Sequence, residues 1–348
     1  MRSRLLIHAG FAKCGSASIR TAVFQNFGQL QKDNVFVFDK DLRIARTADD
    51  LIGTPIWALE QAREKSENLT SRLTAEFAPL LKRKGDHLAI LSAENLANPG
   101  MADLFAGIDR QFDVSVIFYL RPQLQWIPSA WKQWGLKTGA SHRDYVAQCI
   151  ETGTPAFKRD IENWKSIFPT ATVHVRFLIP ELLVGGHPAQ DFFNLLGVSR
   201  ERYRFESEPR NPSLDVSVLH VLSKNPHLFS DVHDNRLMLA LTRVLPKQFR
   251  STNIEMLSLE EETRIEECFR DENRWLLSTY SSEADVDRIY RMHFMPRKAD
   301  ARYSDMTEFE LIYRCLGIIL ESIGLSGGQS EAGKIKHQEH GSLPGEQE

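Results

Sequence analysis

Five short runs rich in apolar, β-branched and aromatic residues mark the first half of the chain, at 4–8, 34–38, 87–92, 114–120 and 172–176. Apolar side chains at nearly every position of such a run predict a strand covered on both faces, as in a parallel sheet, rather than one with a wet face. Between and after these runs the apolar positions recur at helical spacing, over 16–27, 56–82, 123–137, 142–150, 157–167 and 188–196. Alternation of the two patterns predicts an α/β chain, a parallel sheet flanked by helices. Beyond Asn211 the pattern changes: 213–223, 233–249, 258–280 and 306–324 read as helices, 281–304 is charged and irregular, and no strand pattern returns. The expected organisation is therefore a core over 1–210, a helical region over 211–325 packed on it as a cap, and a disordered tail over 326–348 with few large apolar groups. No internal repeat is visible.

Composition narrows the function classes. A chain of 348 residues can bury a sizeable core, as one large domain or as a domain with a helical extension. Its 43 basic and 46 acidic residues leave a formal charge of −3, so there is no global field for nucleic acid and any attraction for an anion must be local. No run approaches 18 apolar residues and no secretory-type stretch opens the chain, which predicts no transmembrane segment and a cytoplasmic location. Cys14, Cys149, Cys268 and Cys315 lie far apart with no Cys-x-x-Cys pair, so free thiols are expected rather than a zinc site or a disulfide framework.

The first strand runs into Gly10-Phe11-Ala12-Lys13-Cys14-Gly15-Ser16-Ala17-Ser18, a glycine-bearing turn that opens a helix. Gly10 and Gly15 let backbone N–H groups turn inward on an anion, and the helix start adds unpaired N–H groups and a positive dipole end. Ser16 and Ser18 supply hydroxyl donors, and Lys13 a full positive charge. The arrangement is a phosphate cradle, yet Lys13 precedes Gly15, whereas the nucleotide triphosphatase motif sets its lysine after the second glycine. Cys14 beside Lys13 and a helix start is either a partly ionised, reactive thiol or a small residue that fits the turn.

A second element covers 114–134. Its strand ends at Arg121, Pro122 suits the first turn of a helix, and Leu124, Trp126, Ile127, Ala130, Trp131 and Trp134 follow at roughly helical spacing. Guanidinium grips a phosphate through two parallel hydrogen bonds, and Ser129, eight residues on, can donate another. Lys13, Glu94 and Arg121 all fall after the carboxyl ends of predicted strands, where open parallel sheets bind ligands.

The loop resembles the 5′-phosphosulfate loop of sulfotransferases that use 3′-phosphoadenosine 5′-phosphosulfate (PAPS). Bacterial members typically read His-x-Gly-x-x-Lys-Thr-Gly followed by hydroxyl residues, and here stand His8, Gly10, Lys13, Cys14, Gly15, Ser16, Ala17 and Ser18. Cys14 replaces the usual threonine and Ala17 a usual hydroxyl residue. Arg121 and Ser129 match the spacing of the pair that binds the 3′-phosphate in that family, and 173–198 with Asn211-Pro212-Ser213-Leu214 look like its bacterial branch, so the resemblance covers roughly 4–220. It implies a P-loop nucleotide-hydrolase-like sulfotransferase fold and PAPS bound by Gly10, Lys13, Cys14, Gly15, Ser16, Ala17, Ser18, Arg121 and Ser129. It also implies transfer to a hydroxyl of a carbohydrate or other small molecule, leaving 3′-phosphoadenosine 5′-phosphate, with no metal. Lys13 would neutralise the leaving oxygen. The base is Glu94, as in carbohydrate sulfotransferases, or His8, since the cytosolic small-molecule enzymes use a histidine; Glu94 is favoured, its pKa raised toward neutrality by burial.

Two other readings fit the same residues: a nucleotide-dependent phosphotransferase with a divergent loop, and a non-catalytic nucleotide or glycan binder, which the Cys14 and Ala17 departures leave open. Trp126, Trp131 and Trp134 either fill a core or line an acceptor cleft. His220, His227 and His233 with Asp231 and Asp234 fit no common metal spacing and read as a polar loop.

Overall fold

The computed structural model describes residues 3–82, 85–205, 214–245, 254–281, 286–299 and 301–331. The strands are β1 (Arg4–Gly10), β2 (Val35–Val37), β3 (Leu88–Glu94), β4 (Asp113–Leu120) and β5 (Thr172–Phe177). Helices α1 (Ser16–Gln25) and α2 (Phe27–Lys32) follow β1; α3 (Ile56–Glu64) and α4 (Thr70–Phe77) lie between β2 and β3. After β4 come α5 (Gln123–Gln133), α6 (His142–Thr152) and α7 (Phe157–Ile167), and after β5 comes α8 (Pro188–Leu195). The remaining helices are α9 (Val216–Ser223), α10 (Arg236–Val244), α11 (Leu259–Tyr280), α12 (Val286–His293) and α13 (Glu308–Glu331).

All five strands are parallel, in the order β2-β3-β1-β4-β5. The chain leaves β1 for the β2 edge, returns through β3, and then crosses to the other side of β1 to form β4 and β5. The direction of strand order therefore reverses between β1 and β4, and such a reversal opens a crevice beyond the carboxyl ends of the two strands. Leu5, Leu6 and Ile7 of β1 and Val116 through Tyr119 of β4 are buried, which is why these segments read as unbroken apolar runs.

The chain forms two compact units. The first comprises Met1–Ala130, Arg143–Arg210 and Leu259–Arg297 and contains the whole sheet; the second comprises Trp131–His142, Asn211–Ser258 and Lys298–Glu348. Membership thus departs from a simple division at residue 210. Helix α11 belongs with the sheet: its Glu272 accepts the Lys158 backbone N–H at 2.7 Å, and its Asn273 donates to Gln123 at 2.9 Å. Within the second unit, α13 packs on α9, where Arg314 makes a two-pronged contact with the buried Asp215, at 3.1 Å through Nε and 2.7 Å through Nη2.

Several predicted helices are divided for local reasons. The 56–82 stretch breaks at Ser66, whose φ of 51° is left-handed, and α4 restarts where Asn68 accepts the Thr70 N–H at 2.9 Å. The 16–27 helix breaks at the buried Asn26, whose side chain donates to Ala22 O at 2.8 Å and exchanges two hydrogen bonds with the Arg204 backbone. The stretch 281–304, expected to be irregular, contains α12: Ile289 and Tyr290 are buried and Tyr290 stacks on Phe294, while the charged residues face outward. Helix α13 continues to Glu331, past the expected start of a tail; residues 332–348 lie outside the described residues, as do 246–249 of the predicted 233–249 helix and Asn211-Pro212-Ser213.

Beneath the sheet, Asp191 of α8 is fully buried and binds three partners. Tyr119 Oη donates at 2.9 Å, Arg176 Nε at 2.9 Å, and the Val184 backbone N–H at 3.0 Å, so one carboxylate joins β4, β5 and α8. Replacing Asp191 with alanine strands the largely buried Arg176 charge. We expect Asp191→Ala to cost about 3–5 kcal/mol, read as a lower midpoint in urea unfolding with an unchanged slope.

Candidate active site

The turn after β1 is shaped by close packing. Gly10 pairs with Glu94 across the β1/β3 ladder, and a Cβ there would lie 2.6 Å from Ala93 O and 2.7 Å from Ser16 Oγ, so only glycine fits. The side chain of Phe11 then anchors the loop, its ring 4.8 Å from that of Phe157 and 5.8 Å from that of Phe118. Lys13 adopts a left-handed φ of 63°, which costs a non-glycine residue on the order of 1–3 kcal/mol and persists only where surroundings enforce it. Gly15, at φ 90°, begins α1: its carbonyl accepts the Ser18 and Ile19 N–H groups at 3.1 and 3.3 Å. As N-cap it brings no side-chain acceptor, so the first N–H groups of α1 and its positive end remain available to an anion.

The end of β4 meets this loop directly. Pro122 O accepts the Gln125 and Trp126 N–H groups at 2.8 and 2.9 Å, which opens α5 immediately after Arg121. Trp126 Nε1 donates to Ala12 O at 2.8 Å, and the Cys14 thiol lies beside Arg121. Two segments separated by more than a hundred positions are thus joined at the β1/β4 reversal. Ser129 lies one helical turn beyond Trp126, on the same side of α5, and is half-buried.

Charge is concentrated where the segments meet. Burial and then the neighbouring Arg121 push the Lys13 pKa down, against an opposing pull from Glu94 and Cys14; burial likewise pushes Arg121 down. Arg121 thus lies near enough to act on the partly desolvated Lys13, and among the described residues no carboxylate forms an ion pair with either. Ser16 Oγ, beside them in the cradle, is buried without a hydrogen-bond partner among the described residues. An anion in this cradle would answer the unpaired hydroxyl, the uncapped helix start and both cations at once.

The remaining candidates separate. Ala17 is exposed and Ser18 half-buried in the first turn of α1. Glu94 is exposed at the carboxyl end of β3, close enough to Lys13 to act on its charge, so the burial expected of it is not there. His8 is 0% exposed. Its Nδ1 shares a 2.8 Å hydrogen bond with Ser92 Oγ, its ring packs on Tyr119 and Phe192, and burial pushes its pKa down to about 4. It is an interior side chain, packed against Ser92, Tyr119 and Phe192 rather than open at the strand tip. Burial also pushes the Cys14 thiol up to about 12, which overrides the pull of its cationic neighbours and removes the expectation of a reactive thiolate.

Of the tryptophans, Trp126 supports the loop and Trp131 is buried with Nε1 donating to Ala140 O at 3.0 Å, so both serve packing. The backbone contact from Trp126 escaped sequence reasoning because a carbonyl partner leaves no residue-type signature. In the histidine-rich stretch, His220 bonds Tyr303 Oη at 2.8 Å and Asp231 accepts the His233 N–H at 2.7 Å. These are packing and turn contacts.

No family model matches the chain. A protein of Archaeoglobus fulgidus, named only as uncharacterized, is 26% identical over 215 residues, which are 56% of this chain and 57% of the relative. The chain thus spans little more than half the length of the curated relative it matches.

Two measurements check these assignments. In native protein near pH 8, Cys268, the one exposed thiol among the described residues, reacts promptly with a disulfide reagent, whereas Cys14 reacts only after denaturation. His8 stays neutral in the folded state down to about pH 4, while the unfolded chain takes up that proton near its ordinary value of 6.5. Stability therefore falls as pH drops from about 6.5 to 4, with up to about 1.4 kcal/mol per pH unit due to this one group. His8→Asn should give a shallower fall than the natural chain.

Proposed function

We propose that the chain is a PAPS-dependent sulfotransferase acting on a hydroxyl of a carbohydrate or another small molecule. The observation that carries this reading is the convergence of Lys13 and Arg121, two half-buried cations without a carboxylate partner among the described residues, at the strand-order reversal of a parallel sheet. A nucleotide bearing phosphates at both its 3′ and 5′ positions answers both cations. The central place of β1 and the glycine-lysine turn after it also suit a P-loop-like sulfotransferase fold.

When bound, the nucleotide supplies an activated sulfuryl group. Gly10, Gly15 and the start of α1, with Ser16 and Ser18, hold the 5′-phosphate; Cys14 and Ala17 contribute through backbone, since neither side chain is a strong donor. Arg121 and Ser129 take the 3′-phosphate. Lys13 neutralises the charge that grows on the leaving oxygen, a contribution of about 3 kcal/mol for one well-placed donor. Glu94, exposed beside Lys13, accepts the proton of the acceptor hydroxyl, a role its exposure suits better than does the interior position of His8.

Calorimetry with 3′-phosphoadenosine 5′-phosphate tests the assignment. Binding is expected without metal, and Arg121→Ala should weaken it by roughly 10- to 150-fold, the loss of a charge-assisted pair. Lys13→Ala should lower turnover by roughly 100- to 1,000-fold, assayed with labelled PAPS and an acceptor identified from cell extract. Undiminished binding by the Arg121 variant, or magnesium-dependent ATP binding indifferent to a 3′-phosphate, would replace this reading with a phosphotransferase.

A further inference from the structure

Helix α13 presents apolar residues on opposite sides. Leu311, Cys315 and Ile318 are buried, on the side that packs on α9, and Arg314 on that side reaches Asp215. Phe309, Ile312, Tyr313, Leu316, Ile319 and Leu320 stand on the other side, between 42% and 69% exposed. A helix that is apolar all round belongs in an interior, and the second unit supplies that interior to one side only.

The exposed residues follow a definite pattern. Phe309, Ile312, Leu316 and Ile319 alternate steps of three and four, the seam of a helix that packs against another helix, and Tyr313 and Leu320 widen it. Glu310, Arg314 and Glu321 lie roughly a third of a turn or more from the centre of the stripe at 3.6 residues per turn, so the middle of the seam carries no charge. We propose that this stripe is the dimerisation surface of the protein, and that α13 of one copy packs against α13 of a second copy.

Area and charge favour a second copy over other occupants. Side chains of this size, at these exposures, offer about 600 Å² per copy, hence about 1,200 Å² in a pair, which reaches the lower bound of a stable specific interface. A two-fold axis makes one apolar stripe its own complement, with no second surface needed. A helix that lies on a membrane carries lysines and arginines on its polar side, whereas α13 has no lysine, carries Glu310 and Glu321 there, and its one arginine is committed to Asp215.

Sedimentation equilibrium of the full chain at micromolar concentration decides the matter. A particle of twice the 39.8 kDa chain mass is expected, with dissociation on dilution. Leu316→Glu, at the centre of the stripe, should weaken association at least tenfold while the helical circular dichroism and the thermal transition persist. If that variant fails to fold, the milder Leu320→Gln should still raise the dissociation constant several-fold. A monomer at all accessible concentrations overturns the proposal, whether or not it cosediments with lipid vesicles, and so does a dimer indifferent to both substitutions.

Discussion

Everything near the candidate site depends on the junction between the loop after β1 and the start of α5. Trp126 holds the Ala12 carbonyl, and Cys14 packs beside Arg121. These contacts fix a loop that would otherwise relax the unfavourable backbone of Lys13. They also explain why Cys14 must be small and buried: the thiol sits between the loop and the strand end, and a larger side chain would push them apart. Behind the turn, Leu178 and Pro188 lie 3.3 and 3.5 Å from where a Cβ of Gly15 would stand, so the cradle is backed by packed side chains.

Rigidity below the cradle comes from polar groups satisfied inside the sheet unit. His8 and Ser92 join β1 to β3, while Asp191 joins β4, β5 and α8. Each strand whose carboxyl end carries a candidate residue is thereby fixed in relation to its neighbours. Such support is what a preorganised electrostatic site requires, because donors and charges that have to reorganise during a reaction lose most of their advantage.

Much of this was legible in the sequence, for identifiable reasons. All five strands fall within two residues of their expected ends, because burial on both faces leaves an unbroken apolar run. Lys13, Gly15 and Arg121 were legible as a set because their chemistry is local to strand ends. Breaks in helices were less visible: Ser66 takes a left-handed conformation that nothing in its side chain announces, and α12 hides a narrow apolar face among charges. The contrast in burial between His8 and Glu94 was not legible. Both sit at the same end of adjacent strands, and what separates them is depth, which depends on the rings of Tyr119 and Phe192 arriving from distant parts of the chain.

The partly buried charges of Lys13 and Arg121 bear on the life of the protein as well as on its chemistry. The nucleotide proposed to engage both would lower the free energy of the native state alone, by about 2.7 kcal/mol at a hundredfold excess over its dissociation constant. On the proposed reading, folding would be thermodynamically linked to supply: a plentiful nucleotide would slow proteolysis of the chain, and a scarce one would quicken it.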